Sequence, residues 1–198
     1  MRALLEILGG GGKERSTPDG LRPLLAGLNG RSRLNPKAKL VLKLLIFIVL
    51  LDQATKIIVD RTLPFNQSIP VIDNLFSLTY IRNTGAAFGI LAGSGGSFRR
   101  VFLIAFSVVA IGFIMIMLRR LPPNEKGLIA ALSFILGGAV GNLIDRILYG
   151  EVIDFLDFYW SSYHWPAFNF ADSFITVGVM IILYRLIVAK GRDPFALS

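Results

Sequence analysis

The 198-residue chain has no cysteine and a single histidine. The first absence excludes disulfides, thiol catalysis and thiolate-bound metal. The second excludes a histidine cluster, and His164 in the stretch SSYHWP reads as an interfacial residue of an aromatic loop. No metal site is expected, and no cofactor. Charge is scarce too: 17% of residues are charged against 54% hydrophobic, with a mean hydropathy of +0.62. A soluble domain of this length carries about a quarter charged residues, so the balance points to a membrane. Residues 1–36 lack the long apolar run and small-residue cleavage site of a secretory leader. Their GGGGK run lacks the glycine spacing and the following Ser/Thr of a phosphate-binding loop. They read as a flexible basic extension, with one membrane domain over 37–198.

What the chain has is hydrocarbon. A bilayer core takes about 20 mainly apolar residues per helix, and four windows qualify, at 40–59, 101–118, 127–144 and 174–189. The second and third contain no charge, whereas the first encloses Lys43, Asp52, Gln53 and Lys56. The net charge of +8 is placed as membrane topology would place it, not as a nucleic-acid surface. Bases crowd the segment up to Lys39, the short connection at Arg119, Arg120 and Lys126, and the end at Lys190 and Arg192. In a four-span chain all three fall on one side. The positive-inside rule makes that side cytoplasmic and puts both termini there. Arg99 and Arg100 are the exception, on the far side.

Polar residues gather at one depth. A helix entering near Lys39 carries Asp52 about 20 Å along its axis, into the outer half of the bilayer. The third window brings Asn142 and Asp145 to its outer end, and the fourth begins there with Asn169 and Asp172. Asp154 lies in the short connection between them. Gly137 and Gly141 form a small-xxx-small pair for close helix packing, and Asp145 continues the stripe one turn on. Asn169, Asp172 and Thr176 make a similar stripe. Asp52 and Lys56 are four apart and able to pair; Asp145 has Arg146 or a nearby backbone group in reach. These polar groups read as well as structural clamps as they do as a site. Asp154 and Asp172 differ, because neither has a base within four residues. EVIDFLDF alternates like a half-buried strand, and Asp172 sits at a helix N-terminus, where the macrodipole favours an anion. Two such acids brought together would share a proton, the condition for acid–base activation of water. An acid-pair enzyme and a structural polar cluster both remain open on this reasoning.

The connection 60–96 is too long for a turn, and LFSLTYIRNTGAAFGIL has strand-like alternation followed by small residues. It suits either a small outer sheet that could receive an extended peptide, with Asn83 beside it, or a plain glycine-rich hairpin. A proton- or ion-coupled transporter is the rival from another class, but the polar residues sit at one surface and no half repeats the other. A Ser–Lys peptidase would need a free lysine near an outer serine; Lys43 is at the wrong depth and Lys56 has Asp52 close by.

Five boxes in order, DQATK from Asp52, NTGAAFG from Asn83, GNLIDR from Gly141, VIDF from Val152 and FNFADS from Phe168, resemble those of the lipoprotein signal peptidases (signal peptidase II). The resemblance runs from about Pro36 to Lys190. It implies a four-transmembrane-helix bundle with a small periplasmic β-cradle, in the bacterial inner membrane, with the active site at the periplasmic face. It implies an aspartic endopeptidase that cleaves prolipoproteins just before a diacylglyceryl-modified cysteine. The catalytic aspartates then fall on Asp154 and Asp172. Site-lining or supporting roles fall on Asp52, Asn83, Asn142, Arg146 and Asn169, with Asp145 in the same box and Lys56 beside Asp52. The expected partners are the lipidated substrate and membrane lipid, with no nucleic acid and a monomeric enzyme. Asp172 is assigned the anion of the pair and Asp154 the protonated member. The basic extension is a departure from the family's pattern.

Overall fold

The structure is a computed structural model that describes residues 35–85 and 96–188. The expected basic extension, apart from its last two residues, lies outside them, as do Lys190 and Arg192. Among the described residues four helices carry the fold: α1 (Pro36–Thr62), α2 (Gly96–Arg120), α3 (Lys126–Leu148) and α4 (Phe170–Val188). Each apolar window falls on one of them. Pro36 opens α1, where its missing N–H costs no hydrogen bond. The LPPNE stretch ends α2, because two successive prolines cannot continue a helix. By length and composition α2, α3 and α4 are able to cross a membrane. Helix α1 is the longest of the four, but Lys43, Asp52 and Lys56 interrupt its apolar stretch.

Helix α3 is the hub, packing against α1, α2 and α4. Its glycines make that possible. A Cβ on Gly141 would stand 2.5 Å from the Asp52 carboxylate, and one on Gly137 would stand 2.9 Å from Ile48. The small-residue stripe is therefore the contact between α3 and α1. Gly138 makes the corresponding contact on the other side, against the Ala171 carbonyl of α4. Leu128, Ile129, Leu132 and Leu136 of α3 complete this core with Ile114 and Leu118 of α2. Helix α2 turns Phe102, Phe106, Val109 and Phe113 outward, exposed, as a lipid-facing helix does.

The connections build one antiparallel sheet from β1 (Ser68–Ile72), β2 (Phe76–Asn83), β3 (Val152–Trp160) and β4 (Tyr163–His164), in that spatial order. The sheet expected for the long connection is thus present in β1 and β2. Its register shifts between Pro70 and Ile72 on β1, and again on β2 against β3. Leu78 pairs with Leu156 but Ile81 with Asp154, so Thr79 and Tyr80 together oppose Phe155 alone. This bulge is tied to the preceding turn: the Tyr80 N–H donates to the Gln67 carbonyl at 3.0 Å, and the Asn66 N–H donates to the Tyr80 carbonyl at 2.9 Å. A one-residue slip reverses the facing of every later side chain. The bulge therefore decides that Asn83 faces the same way as Asp154. On the opposite face, Tyr80, Ile153 and Phe155 pack on Val59 and Leu63 at the end of α1.

Candidate active site

Two layers of polar side chains sit where α1, α3 and α4 meet the sheet. The inner layer is ionic. Lys56 lies 2.8 Å from Asp52 and 2.9 Å from Asp145, and all three are at most 1% exposed. Backbone donors add to this layer. The Ala171 N–H donates to Asp52 at 2.9 Å, satisfying one of the free N–H groups in the first turn of α4. The Ile153 N–H donates to Asp145 at 3.2 Å, which ties β3 to α3. The expected Asp52–Lys56 pair is present. Asp145 bonds a backbone N–H as anticipated, but its cation is Lys56 and not Arg146. Gln53, which the sequence showed only as a polar residue within the first window, braces the layer. It donates to Asp145 at 2.9 Å, to Asp52 at 3.2 Å and to the Gly141 carbonyl at 3.2 Å.

The outer layer is built from amides and acids. Lys56 also donates to Asn142 Oδ1 at 3.0 Å. That fixes the amide so that its NH2 points the other way, donating to Asp172 Oδ1 at 2.8 Å. Asn169 caps α4. Its Oδ1 accepts the Asp172 N–H at 3.0 Å, and Asp172 Oδ2 accepts the Asn169 N–H at 3.4 Å, a reciprocal capping box written as NFAD. The cap occupies the amide oxygen of Asn169 and turns its NH2 onto Asp154 Oδ1, at 2.7 Å. Asn83 reaches across from β2 to the other oxygen, Asp154 Oδ2, at 2.9 Å. Asn83 in turn accepts the Gly85 N–H at 2.8 Å, where the chain takes a left-handed φ of 79° that a glycine tolerates.

The structure thus brings Asp52, Lys56, Asn83, Asn142, Asp145, Asp154, Asn169 and Asp172 into one continuous network. Arg146 stands at its margin. Its hydrogen bond is to the Asn142 carbonyl of its own helix, at 3.4 Å. Its Nε is buried with no partner among the described residues, in the field of Asp172, Asp145 and Asp154.

Asp154 and Asp172 differ in surroundings. Asp154 is buried and Asp172 half-buried, so the pair opens at Asp172. Burial pushes the Asp154 carboxyl up to about 7; the Asn83 and Asn169 amides oppose the rise and the neighbouring charge of Asp172 adds to it. Neither acid forms an ion pair with a described base, whereas Asp52 and Asp145 share one.

Two other groups lay beyond the sequence reading. Arg82 donates to the Tyr80 hydroxyl at 2.7 Å and to Asp60 at 3.2 Å, with Tyr80 bonded to the same Asp60 oxygen. This triad joins β2 to α1 one residue before Asn83. His164 lies 2.9 Å from Asp157 and stacks on Tyr159.

Comparison with solved structures defines the class first. The chain resembles two bacterial membrane enzymes, with TM-scores of 0.67 and 0.66 and 32% and 35% identity; the matches cover 76% and 77% of this chain and 89% and 93% of those chains. The family follows from the sequence. The signal peptidase (SPase) II family model matches residues 44–188. The lipoprotein signal peptidase of Geobacter sulfurreducens is 55% identical over 144 residues, covering 73% of this chain and 89% of that protein. That of Syntrophotalea carbinolica is 46% identical over 155 residues, covering 78% and 92%. The chain belongs to the signal peptidase II family.

Proposed function

We propose that the chain is a membrane-embedded aspartic endopeptidase that removes the signal peptide from diacylglyceryl-modified prolipoproteins, cutting immediately before the lipidated cysteine. The observation that carries the mechanism is the asymmetry of the outer pair. Asp154 is buried and keeps its proton to about pH 7, while Asp172 opens outward in the first turn of α4 with two N–H donors on its oxygens. Asp172 therefore acts as the base and Asp154 as the acid, within a pair that titrates as a unit.

A water between them loses a proton to Asp172 and adds its oxygen to the scissile carbonyl carbon. Asp154 gives its proton to that carbonyl oxygen. Collapse of the tetrahedral species breaks the C–N bond, the proton held by Asp172 passes to the leaving nitrogen, and Asp154 takes back a proton from one of the two hydroxyls, which restores the pair. Asn83, Asn142, Arg146 and Asn169 bind substrate backbone or fix the acid pair.

Four helices crossing the bilayer, both termini cytoplasmic and the acid pair at the periplasmic face complete the proposal, with a monomeric enzyme and a dispensable extension at 1–36. Helix α1 is suited to cross because the charges within its apolar stretch at Asp52 and Lys56 are paired inside the bundle.

Purified protein incubated with a diacylglyceryl-modified prolipoprotein and with its unlipidated twin tests the reading. Cleavage of the first and little of the second is expected, because the acyl chains hold the substrate in the bilayer. Equal rates on both would refute docking through the lipid, and no cleavage of either would refute the activity.

A further inference from the structure

The segment FYWSSYHWPA, 158–167, contains five Phe, Tyr or Trp residues and no Asp, Glu, Lys or Arg. It forms the tip of the β3–β4 hairpin. Trp160, Tyr163 and Trp165 are 82%, 73% and 61% exposed there. Three large rings pointing away from the protein, with no charge among them, form the kind of apolar patch that marks a contact surface.

The tip is held in shape. Trp160 pairs with Tyr163 across the turn, and Ser161 takes a φ of 55°. The Trp165 N–H donates to the Phe158 carbonyl at 2.8 Å. The His164 ring stacks on Tyr159 with centroids 4.8 Å apart, and its Nδ1 meets the Asp157 carboxylate. The exposed rings are therefore presented by a braced hairpin.

Its place in the chain names the occupant. Trp165 precedes Phe170, the first residue of the membrane-length helix α4, by five positions. Five extended residues reach about 17 Å at most, so the hairpin stays near the end of α4. Helix α4 continues the apolar surface with exposed Val177, Met180 and Leu183. Tryptophan and tyrosine settle at the headgroup level of a bilayer, with an apolar ring inward and a polar edge toward water. The neutral tip is joined directly to a membrane-length helix, and that continuity makes the bilayer surface its occupant.

We infer that the β3–β4 hairpin is a lipid-surface anchor, with Trp160, Tyr163 and Trp165 seated among the headgroups and upper acyl carbons. The hairpin lies between Asp154 and Asp172 in the chain. Its seating therefore fixes the depth of the whole connection from one acid to the other.

Trp160 and Trp165 are the only tryptophans in the chain, so native emission reports on this hairpin alone. The full chain is reconstituted in phosphatidylcholine vesicles carrying bromine either high on the acyl chain or near its end, and iodide is added in parallel. The expected result is a loss of more than about half the emission to the high bromines, less to the terminal ones and little to iodide. Trp160→Phe and Trp165→Phe assign the loss to each ring, and both should report it. Strong quenching by iodide with none by bromine would place the rings in water and overturn the anchor. Greater quenching by terminal bromines would place them too deep and overturn it as well. Emission reduced by neither quencher would mean that protein covers the tip, a second copy included, and would equally end the proposal.

Discussion

Two pairs of carboxylates meet in one polar network in this molecule and have opposite circumstances. Asp52 and Asp145 share the ammonium of Lys56 and are closed off by backbone donors. Asp154 and Asp172 have amide and backbone donors but no ion-pairing base. The first arrangement joins three helices through one shared cation and backbone donors, and the second has no such cation. A carboxylate paired with a buried cation contributes to structure because removing either partner leaves the other uncompensated. One supported only by neutral donors near a second acid is poised between two states. The same residue type thus stands in two settings, and the presence of Lys56 is what divides them.

The largest effect should come from breaking the first pair. Lys56→Met leaves two buried carboxylates without their cation, and removing one partner of a buried ion pair costs about 3–5 kcal/mol. The variant should accumulate poorly in folded form and unfold at a markedly lower temperature. A parent-like melting temperature would show that the ionic layer is not a structural element. Next comes the outer pair. Asn matches Asp in size and keeps hydrogen-bonding capacity, so Asp154→Asn and Asp172→Asn should fold normally yet lose at least about 10²-fold in turnover. The double variant should be little worse, since the two act as one unit. Near-parent turnover in either single variant would end the aspartic mechanism.

A smaller effect sharpens the comparison through pH. The proposed mechanism makes Asp154 the acid, and burial pushes its carboxyl up to about 7, so turnover should fall as the pH rises through that value. The Asn83 amide stabilises the Asp154 anion. Asn83→Ala should therefore move the alkaline limb upward, by roughly one unit for the loss of a hydrogen bond to a charged group. A limb that stays in place would assign it to another group.

The smallest effect is on stability. Between the unfolded carboxylate range near 4 and about 7, the folded protein holds a proton on Asp154 that the unfolded chain releases. Stability should decline across that window as pH rises. Asp154→Asn should flatten the decline, and thermal unfolding of both proteins from pH 4 to 8 measures it.

The helices were legible because apolar length is a property of local sequence, and the Asp52–Lys56 pair because four residues make one helical turn. The five boxes named the acids and amides that the structure brings into one network. What they could not show was which partner each would take. Lys56 reaches Asp145 and Gln53 reaches Gly141 across almost half the chain, a contact that exists only because glycines let α3 approach α1. The bulge did leave a trace. In LFSLTYIRN the hydrophobic alternation through Phe76, Leu78 and Tyr80 changes parity at Ile81. That break marks the place where one strand gains a residue on the other. Asp60, Tyr80 and Arg82 gave no comparable signal, because their meeting depends on the end of α1 lying under β2.

The extra residue at Thr79–Tyr80 makes the chain intolerant of length changes over a short interval. One residue added or removed between Leu78 and Asn83 would turn Arg82 toward the acids and Asn83 toward the Tyr80 side of the sheet. Two would restore the facing but carry the amide about 7 Å along the strand, out of reach of Asp154. Before Phe76, in the turn around Asn74, the same change would lengthen a loop and leave the register of β2 on β3 untouched. Insertions and deletions among related chains should therefore collect on one side of Phe76, while the count from Leu78 to Asn83 stays fixed even where the residues themselves vary.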